Sequence, residues 1–380
     1  MSEWKKCRIG DLVTLRQGFA INAKSKHYIS KERTSLALLR IADMKSGSRE
    51  IFIREDIPQN FIARAEDIVY TRTGNVGLVF RNNYGVVHNN CFTVTPNDEK
   101  ALSRDFLYYL LQSKSFFDKA NSLARGAAQP DLPHSLFNSI EISYPELDCQ
   151  HRIATILSRY DSLIENYQKQ IKLLEEAAQR LYKEWFVDLH FPGHENTKIV
   201  DGVPEGWTIS QLGQLAEFKR GKTITKKDAI EGDIPVVAGG LAPAYYCNKS
   251  NTAERVITVS GSGANAGFTR MYFEKVWASD CSFVDASTTP FLHFVYCYLK
   301  DNKTKIDNMQ KGAAQPHVYA KDINSLELCI PIESVLKSFE GKVSKYFDTI
   351  SSLQSQIRLL TEARDRLLPK LMSGEIKIGM

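Results

Sequence analysis

Gly126-Ala127-Ala128-Gln129-Pro130 returns 186 residues later as Gly312-Ala313-Ala314-Gln315-Pro316. The same step carries Asn138-Ser139-Ile140-Glu141-Ile142 onto Asn324-Ser325-Leu326-Glu327-Leu328, and Tyr144-Pro145 onto Ile330-Pro331. It also carries Gln170-Ile171-Lys172-Leu173-Leu174 onto Gln356-Ile357-Arg358-Leu359-Leu360. Toward the N-terminus the step lengthens, as loop insertions make it. Asn75, in Arg72-Thr73-Gly74-Asn75-Val76-Gly77, stands 190 residues before Asn265, in Gly261-Ser262-Gly263-Ala264-Asn265-Ala266-Gly267. Cys91-Phe92 lies near Cys281-Ser282-Phe283 after a similar step, while Trp4, Gly10 and Gly18 precede Trp207, Gly213 and Gly221 by 203. One shared pentapeptide arises by chance, but an ordered series along the chain does not. The chain is a tandem duplication.

Each copy has a globular part and a helical part. The globular parts mix short β-type runs, such as Asp67-Ile68-Val69-Tyr70 and Arg255-Val256-Ile257-Thr258-Val259, with Gly/Asn-rich turns. One helix is legible in each, around Phe106–Gln112 and around Phe294–Leu299. The fold class is therefore α+β, a tandem duplication of a globular domain plus a long helix.

The helical parts carry a heptad seam. In the first copy Ile153, Leu157, Tyr160, Ile164, Tyr167, Ile171, Leu174, Ala178 and Leu181 alternate steps of four and three. In the second, Phe339, Val343, Tyr346, Ile350, Leu353, Ile357, Leu360 and Leu367 follow the same rule, broken only by Arg364. Such a seam has to be buried, and the other copy's helix is the nearest partner. A pseudo-two-fold relation between the copies predicts an antiparallel coiled coil, with one globular domain at each end of a spacer of roughly 50 Å. The organisation expected is 1–150 and 207–333 globular, 151–190 and 334–380 helical, with a Pro/Gly-punctuated connector at 191–206.

Composition narrows the class further. With 380 residues, 43% of them hydrophobic and 24% charged, the chain can bury a sizeable core, which excludes disordered and disulfide-stapled classes. A net charge of +5 permits a nucleic-acid surface without demanding one. Seven cysteines with no C-x-x-C point to reduced thiols in a cytoplasm. No apolar run approaches the roughly 18 residues of a membrane span, and Met1-Ser2-Glu3-Trp4-Lys5-Lys6 has no signal-peptide character.

Catalytic constellations are not legible. Gly261–Gly267 has G-x-G without the G-x-x-G spacing, and Gly221-Lys222-Thr223 ends like a phosphate loop but has Ala216 where that loop needs glycine. There is no H-E-x-x-H, no zinc-type cysteine cluster and no Pro-Pro, so the N/D-P-P-Y/F motif of amino-methyltransferases is missing. Glu375-Ile376-Lys377 resembles only a fragment of a nuclease motif. His190 and His194 are spaced like metal ligands only on a helix, and Pro192-Gly193 between them argues for loop histidines. No catalytic residue and no metal ligand is expected.

Two similar readers on a spacer suit a bipartite target, for which double-stranded DNA is the natural candidate. Polar residues in Gly-flanked loops are of the types that read base edges: Arg72, Asn75, Arg125 and Gln129 in the first copy, and Asn265, Arg270, Lys311, Gln315 and His317 in the second. Lys219, Arg220 and Lys222, with Lys226-Lys227, would serve phosphates. The repeated pentapeptide is equally consistent with a structural loop tied down by its glutamine.

At this point the chain resembles the specificity subunit of type I restriction–modification systems, over essentially its whole length. The likeness rests on Lys183-Glu184-Trp185-Phe186-Val187-Asp188 with Phe191-Pro192-Gly193, leading to Val203-Pro204-Glu205-Gly206-Trp207. It rests also on the tail, Leu367-Leu368-Pro369-Lys370-Leu371-Met372-Ser373-Gly374-Glu375-Ile376, and on the duplicated pentapeptide. The resemblance implies that each globular part is a target-recognition domain reading one half of a split, asymmetric DNA site. The helical pair would set the gap and dock two methyltransferase subunits, which carry S-adenosylmethionine; restriction/translocase subunits join for cleavage. This chain would itself bind no cofactor and be non-catalytic. Residues off the seam, such as Lys169, Lys172, Glu175, Glu176 and Arg180, are either solvated or partner surface. Readings from other classes are a stand-alone nucleic-acid-binding protein without methyltransferase partners, an enzyme with an unrecognised site, and a protein-binding adaptor.

Overall fold

The computed structural model describes residues 4–310 and 316–376. The chain forms two compact units, one comprising residues up to Glu165 together with those from Arg358 onward, the other Asn166–Ile357.

In the first unit a four-stranded antiparallel sheet has the order Val13–Gln17, Cys91–Pro96, Ile68–Thr71, Val79–Phe80. Of its two inner strands Ile68–Thr71 is buried throughout, because the sheet is a wall between two cores. Side chains alternate faces along a strand. Ile68 and Tyr70 face a core with Phe106, Leu107 and Phe137, whereas Val69 shares another with Leu39, Ala63, Val87 and Cys91. That double burial is why this strand reads as a continuous apolar run rather than an alternating one. The second core lies under a five-stranded sheet of short strands ordered Ile29–Ser30, Phe52–Ile53, Leu36–Leu39, Gly85–Val87, Ile62–Ala63, in which Leu36–Leu39 and Gly85–Val87 run parallel. Lys5–Arg8 pairs with Glu141–Tyr144 beside it.

The second unit repeats this plan. Its four-stranded sheet runs Lys219–Arg220, Cys281–Asp285, Val256–Ser260, Thr269–Tyr272, and Thr208–Gln211 pairs with Glu327–Ile330. Ile257 and Val259 face the helical core, while Val256 faces Val237, Ala278 and Cys281. The second sheet here has only three strands, Tyr245–Cys247, Ile234–Val237 and Trp277–Ala278, again with one parallel pair. Both globular parts are thus α+β with four-stranded sheets of one order, which fits the sequence repeat, while the second sheets differ in strand number.

Glycines aligned between the copies do the same work in both units. A Cβ at Gly18 would run into the His88 carbonyl oxygen, and one at Gly221 into that of Ser279. Gly10 and Gly213 likewise back onto Asn138 and Asn324.

Helical content exceeds the one helix per copy legible in the sequence. Arg104–Gln112 is followed at once by Lys114–Leu123, and Leu292–Asp301 by Lys303–Asn308. Ser113 makes the first junction: its hydroxyl accepts from the Phe116 N–H and donates to the Leu110 carbonyl, ending one helix and capping the next.

The long helices are Leu147–Tyr182, continued by a π-helical turn Lys183–Val187, and Glu333–Met372. Buried Gln150 pins the first to its domain. Its amide donates to the carbonyls of Ala101 and Pro145 at 3.0 and 2.9 Å and accepts from Ser103 N–H at 2.8 Å. Within each unit the two helices run antiparallel. In the first, Asp161 meets Arg364 at 2.9 Å, while Ile153, Ala154 and Leu157 share a core with Leu367, Leu368 and Leu371. In the second, Tyr182 and Phe186 pack on Phe339, while Ile171 and Leu174 share a core with Val343, Tyr346 and Ile350.

None of the seam residues is exposed. Ile153, Leu157, Ile164, Ala178, Phe339, Val343, Ile350 and Leu353 are buried, and Tyr160, Tyr167, Ile171, Leu174, Leu181, Tyr346, Ile357, Leu360 and Leu367 half-buried. Phe347 lies off the heptad and is fully buried, because this helix also faces its own domain, where Phe347 stacks on His293 at 4.5 Å. Arg364, the break in the seam, is an anchor. Asp161 accepts from Arg364, from Tyr109 Oη at 2.6 Å and from Arg81 at 3.4 Å, joining both helices to the first globular part.

Candidate nucleic-acid interface

Pro130 and Pro316, the last residues of the repeated pentapeptide, dock at matching places in the two units. In the first, Arg125 and Asp131 exchange backbone hydrogen bonds of 2.8 Å, closing a hairpin over Gly126–Pro130. Gly126 takes φ +94°, a conformation suited to glycine. The hairpin docks on the end of the Ile68–Thr71 strand: Gly74 N–H donates to the Pro130 carbonyl at 2.8 Å and Leu132 N–H to that of Arg72 at 2.9 Å. In the second unit Gly263 N–H donates to the Pro316 carbonyl at 3.0 Å and Val318 N–H to that of Gly261 at 3.1 Å. Arg72 therefore matches Gly261, Thr73 matches Ser262, and Asp131 matches His317.

Arg72 lies at the centre of the first junction. Its Nε and Nη2 donate to the two carboxylate oxygens of Asp131 at 3.1 and 2.7 Å, and Nη1 donates to Gln17 Oε1 at 3.1 Å. Thr73 Oγ1 donates to Asp131 at 2.6 Å. The hydrogen bond from Arg72, against a smaller opposing effect of burial, holds the Asp131 carboxyl below the usual carboxylate range. The loop is thus tied by Asp131 and by backbone, and not by Gln129, whose side chain is exposed together with those of Asn75 and Arg125.

In the second unit the partners have changed strands. Arg220, at the position of Gln17, lies 3.4 Å from Asp280, at the position of Asn90. Ser262 Oγ also donates to Asp280. Lys219, Arg220 and Lys222 are exposed along this rim, as are Lys226 and Lys227. His317 stacks on Tyr319 at 5.8 Å. Asn265 donates to the Gly239 carbonyl at 3.4 Å and Arg270 to that of Leu241 at 3.0 Å, so both brace the neighbouring loop. Arg270 also sits over the Tyr272 ring and faces Lys300 and the half-buried Glu175, whose carboxyl is pushed up by burial. Lys311 and Gln315 lie outside the described residues.

The residues the sequence reading missed are Gln17, Thr73, Asp131, Ser262 and Asp280. Asp131 directly follows the pentapeptide, but its counterpart is His317, so comparing the copies hides it.

No group of three or more His, Cys, Asp or Glu residues able to hold a metal occurs among the described residues. His190 and His194 face each other at 5.3 Å, and His194 Nδ1 lies 2.9 Å from the Phe191 carbonyl oxygen. All seven cysteines are free, and burial pushes the aligned Cys91 and Cys281 thiols up to about 12. No helix among the described residues is long and apolar enough to cross a membrane. Lys172 and Arg180 flank Glu176 at 4.0 and 3.9 Å, while Lys169 is exposed.

The segments that carried the family resemblance have structural work. Trp185, Phe186, Phe191 and Trp207 form one aromatic cluster with Phe294 and Phe339 in the second unit. In the first, Trp4 packs against Gly374 in the tail.

The sequence model of the type I restriction modification DNA specificity domain matches residues 1–176 and again 204–361, one match per copy. The chain belongs to this family. It is similar to the type I restriction enzyme MjaIX specificity subunit of Methanocaldococcus jannaschii, 28% identical over 86% of this chain and 78% of the relative. It is 23% identical to the HindI specificity subunit of Haemophilus influenzae over 99% of this chain and all of that one. Among solved structures, the type I restriction–modification S subunit from M. genitalium shares the fold, with a TM-score of 0.62, at 21% identity over 97% of this chain and 96% of that one. Tandem specificity domains with mixed helix and sheet are therefore the family's fold, and this chain has both.

Proposed function

We propose that this chain is the DNA sequence-specificity subunit of a type I restriction–modification complex. The observation that carries the reading is the double family match, one specificity domain on each half of the chain. Each unit would read one block of a bipartite, asymmetric DNA site, and the helical pair would set the unspecified gap. The pair would also dock two methyltransferase subunits, with restriction/translocase subunits joining for cleavage. The chain's own work is recognition: exposed Arg125, Asn75, Gln129, Lys219, Arg220 and Lys222 surround the two matching docking places and supply cationic and amide groups suited to phosphate and base edges. S-adenosylmethionine and the methyl transfer would belong to the partner subunits, leaving this chain non-catalytic and cytoplasmic. The stand-alone binding protein is not favoured, since both specificity domains and full-length relatives named as restriction-enzyme specificity subunits accompany the match.

The test is adenine-methylation mapping of DNA from cells that express the neighbouring methyltransferase with and without this chain. A methylated motif of two short blocks around a fixed gap, present only with the chain, is expected. No new methylation, with the methyltransferase active and bound to the chain, would overturn the reading.

A further inference from the structure

An arginine whose guanidinium is held in one plane by a carboxylate is a different object from a solvated surface arginine. Arg72 has five N–H donors, of which Asp131 takes the Nε–Nη2 edge and Gln17 takes one hydrogen of Nη1. One hydrogen remains on each terminal nitrogen, and with Gln17 on the outward side of Nη1 the two form an end-on fork. The side chain is still 22% exposed, at a rim it shares with exposed Asn75, Arg125 and Gln129. A bidentate fork of this kind matches O6 and N7 of guanine in the major groove. A phosphate contact needs only charge, which Arg125 and the exposed lysines already supply. Fixing the plane gives directional selectivity, and three side chains fix it: Asp131, Gln17, and Thr73 acting through Asp131.

The second unit has a looser counterpart, in which the arginine is 58% exposed and meets its carboxylate through one contact of 3.4 Å, and only the hydroxyl keeps its matched position. Gly261 stands where Arg72 stands, and the arginine is now Arg220 on the edge strand. The carboxylate comes from Asp280, itself oriented by Ser262. Retention of an arginine–carboxylate–hydroxyl set, with none of its members at the matched position except the hydroxyl, is unexpected for a loop staple. It suits two readers that place a carboxylate-paired arginine at different points of the corresponding rim.

We infer that Arg72 and Arg220 each recognise a guanine, one in each block of the DNA site, with Asp131, Gln17 and Asp280 as positioning residues. This rests on the DNA-specificity reading above. It goes beyond that reading by naming the base and the side chain in each unit.

The test selects the full-length chain, and variants shown to be folded at the assay temperature, on a duplex library with a random central region, followed by sequencing and by salt titration of the selected duplex. Arg72→Lys keeps the charge but loses the fork. It should lower the preference for one guanine in one block about tenfold, leave the salt dependence of binding unchanged, and leave the other block intact. Arg220→Lys should do the same in the other block. Asp131→Asn keeps a hydrogen-bonding partner and should weaken the same guanine as Arg72→Lys; it carries the test if the arginine variant does not fold. Unchanged base preferences in these variants would overturn the inference while leaving the specificity function standing, and so would a weakening shared by every base. A wild-type chain that selects no block would overturn both.

Discussion

Gly18 and Gly221 show what a single position can require. Each lies where a strand passes against a backbone carbonyl, and a methyl group there has no space. Gly18→Ala is expected to destabilise the first unit by about 2 kcal/mol, measured by denaturant unfolding; an unchanged midpoint would show that the carbonyl gives way freely. Both glycines were visible as an aligned pair in the sequence, but their reason was not, because the oxygen each meets lies some 60 to 70 residues away. Asp131 was less legible still. Its carboxyl is held low by Arg72, so its contribution is complete above the ordinary value of 3.8 and is lost as pH falls through the lower folded value. The stability difference between wild type and Asp131→Asn should therefore be largest above about pH 4 and shrink below it. A difference independent of pH would remove the ion pair from the account.

The long helices are where sequence and structure agree most closely, and Arg364 explains the one place where the pattern stops. A heptad seam shows itself through its period, so helix and buried face were both readable from Ile153 to Leu181. A polar residue in a seam reads only as an interruption. Here it meets Asp161 and, through it, Tyr109 and Arg81, so one carboxylate joins both helices and the globular part of the first unit. Polar groups at seam positions are the best-attested means of specifying helix register. Asp161→Ala removes the acceptor that Arg81, Arg364 and the buried Tyr109 share, leaving Arg364 with Asp365 and Arg81 with Asp105. It should cost about 3 kcal/mol, whereas the double change Asp161→Leu with Arg364→Leu should recover much of that loss. If the double variant is no more stable than the single one, the hub is not the pairing described. The inner strands were harder to read for a related physical reason. Ile68–Thr71 is buried on both faces, so the alternation that marks a half-exposed strand is missing.

At the scale of the whole chain, the repeat was the most legible feature, and it carried the shared topology: two four-stranded sheets of one order, each backed by helices and a second sheet with one parallel pair. What could not be read is where the two units diverge in detail, since that divergence is the substance of having two readers. The junction partners show it, with Arg72–Asp131 in one unit and Arg220–Asp280 in the other. The central claim is that each unit reads its own block. It is tested most directly by exchanging residues 1–150 for those of a relative with a known, different DNA site and mapping adenine methylation in cells with the partner methyltransferase. The account predicts that one block of the methylated motif changes to that of the relative, while the other block is retained. A change in both blocks, or in neither, would contradict it.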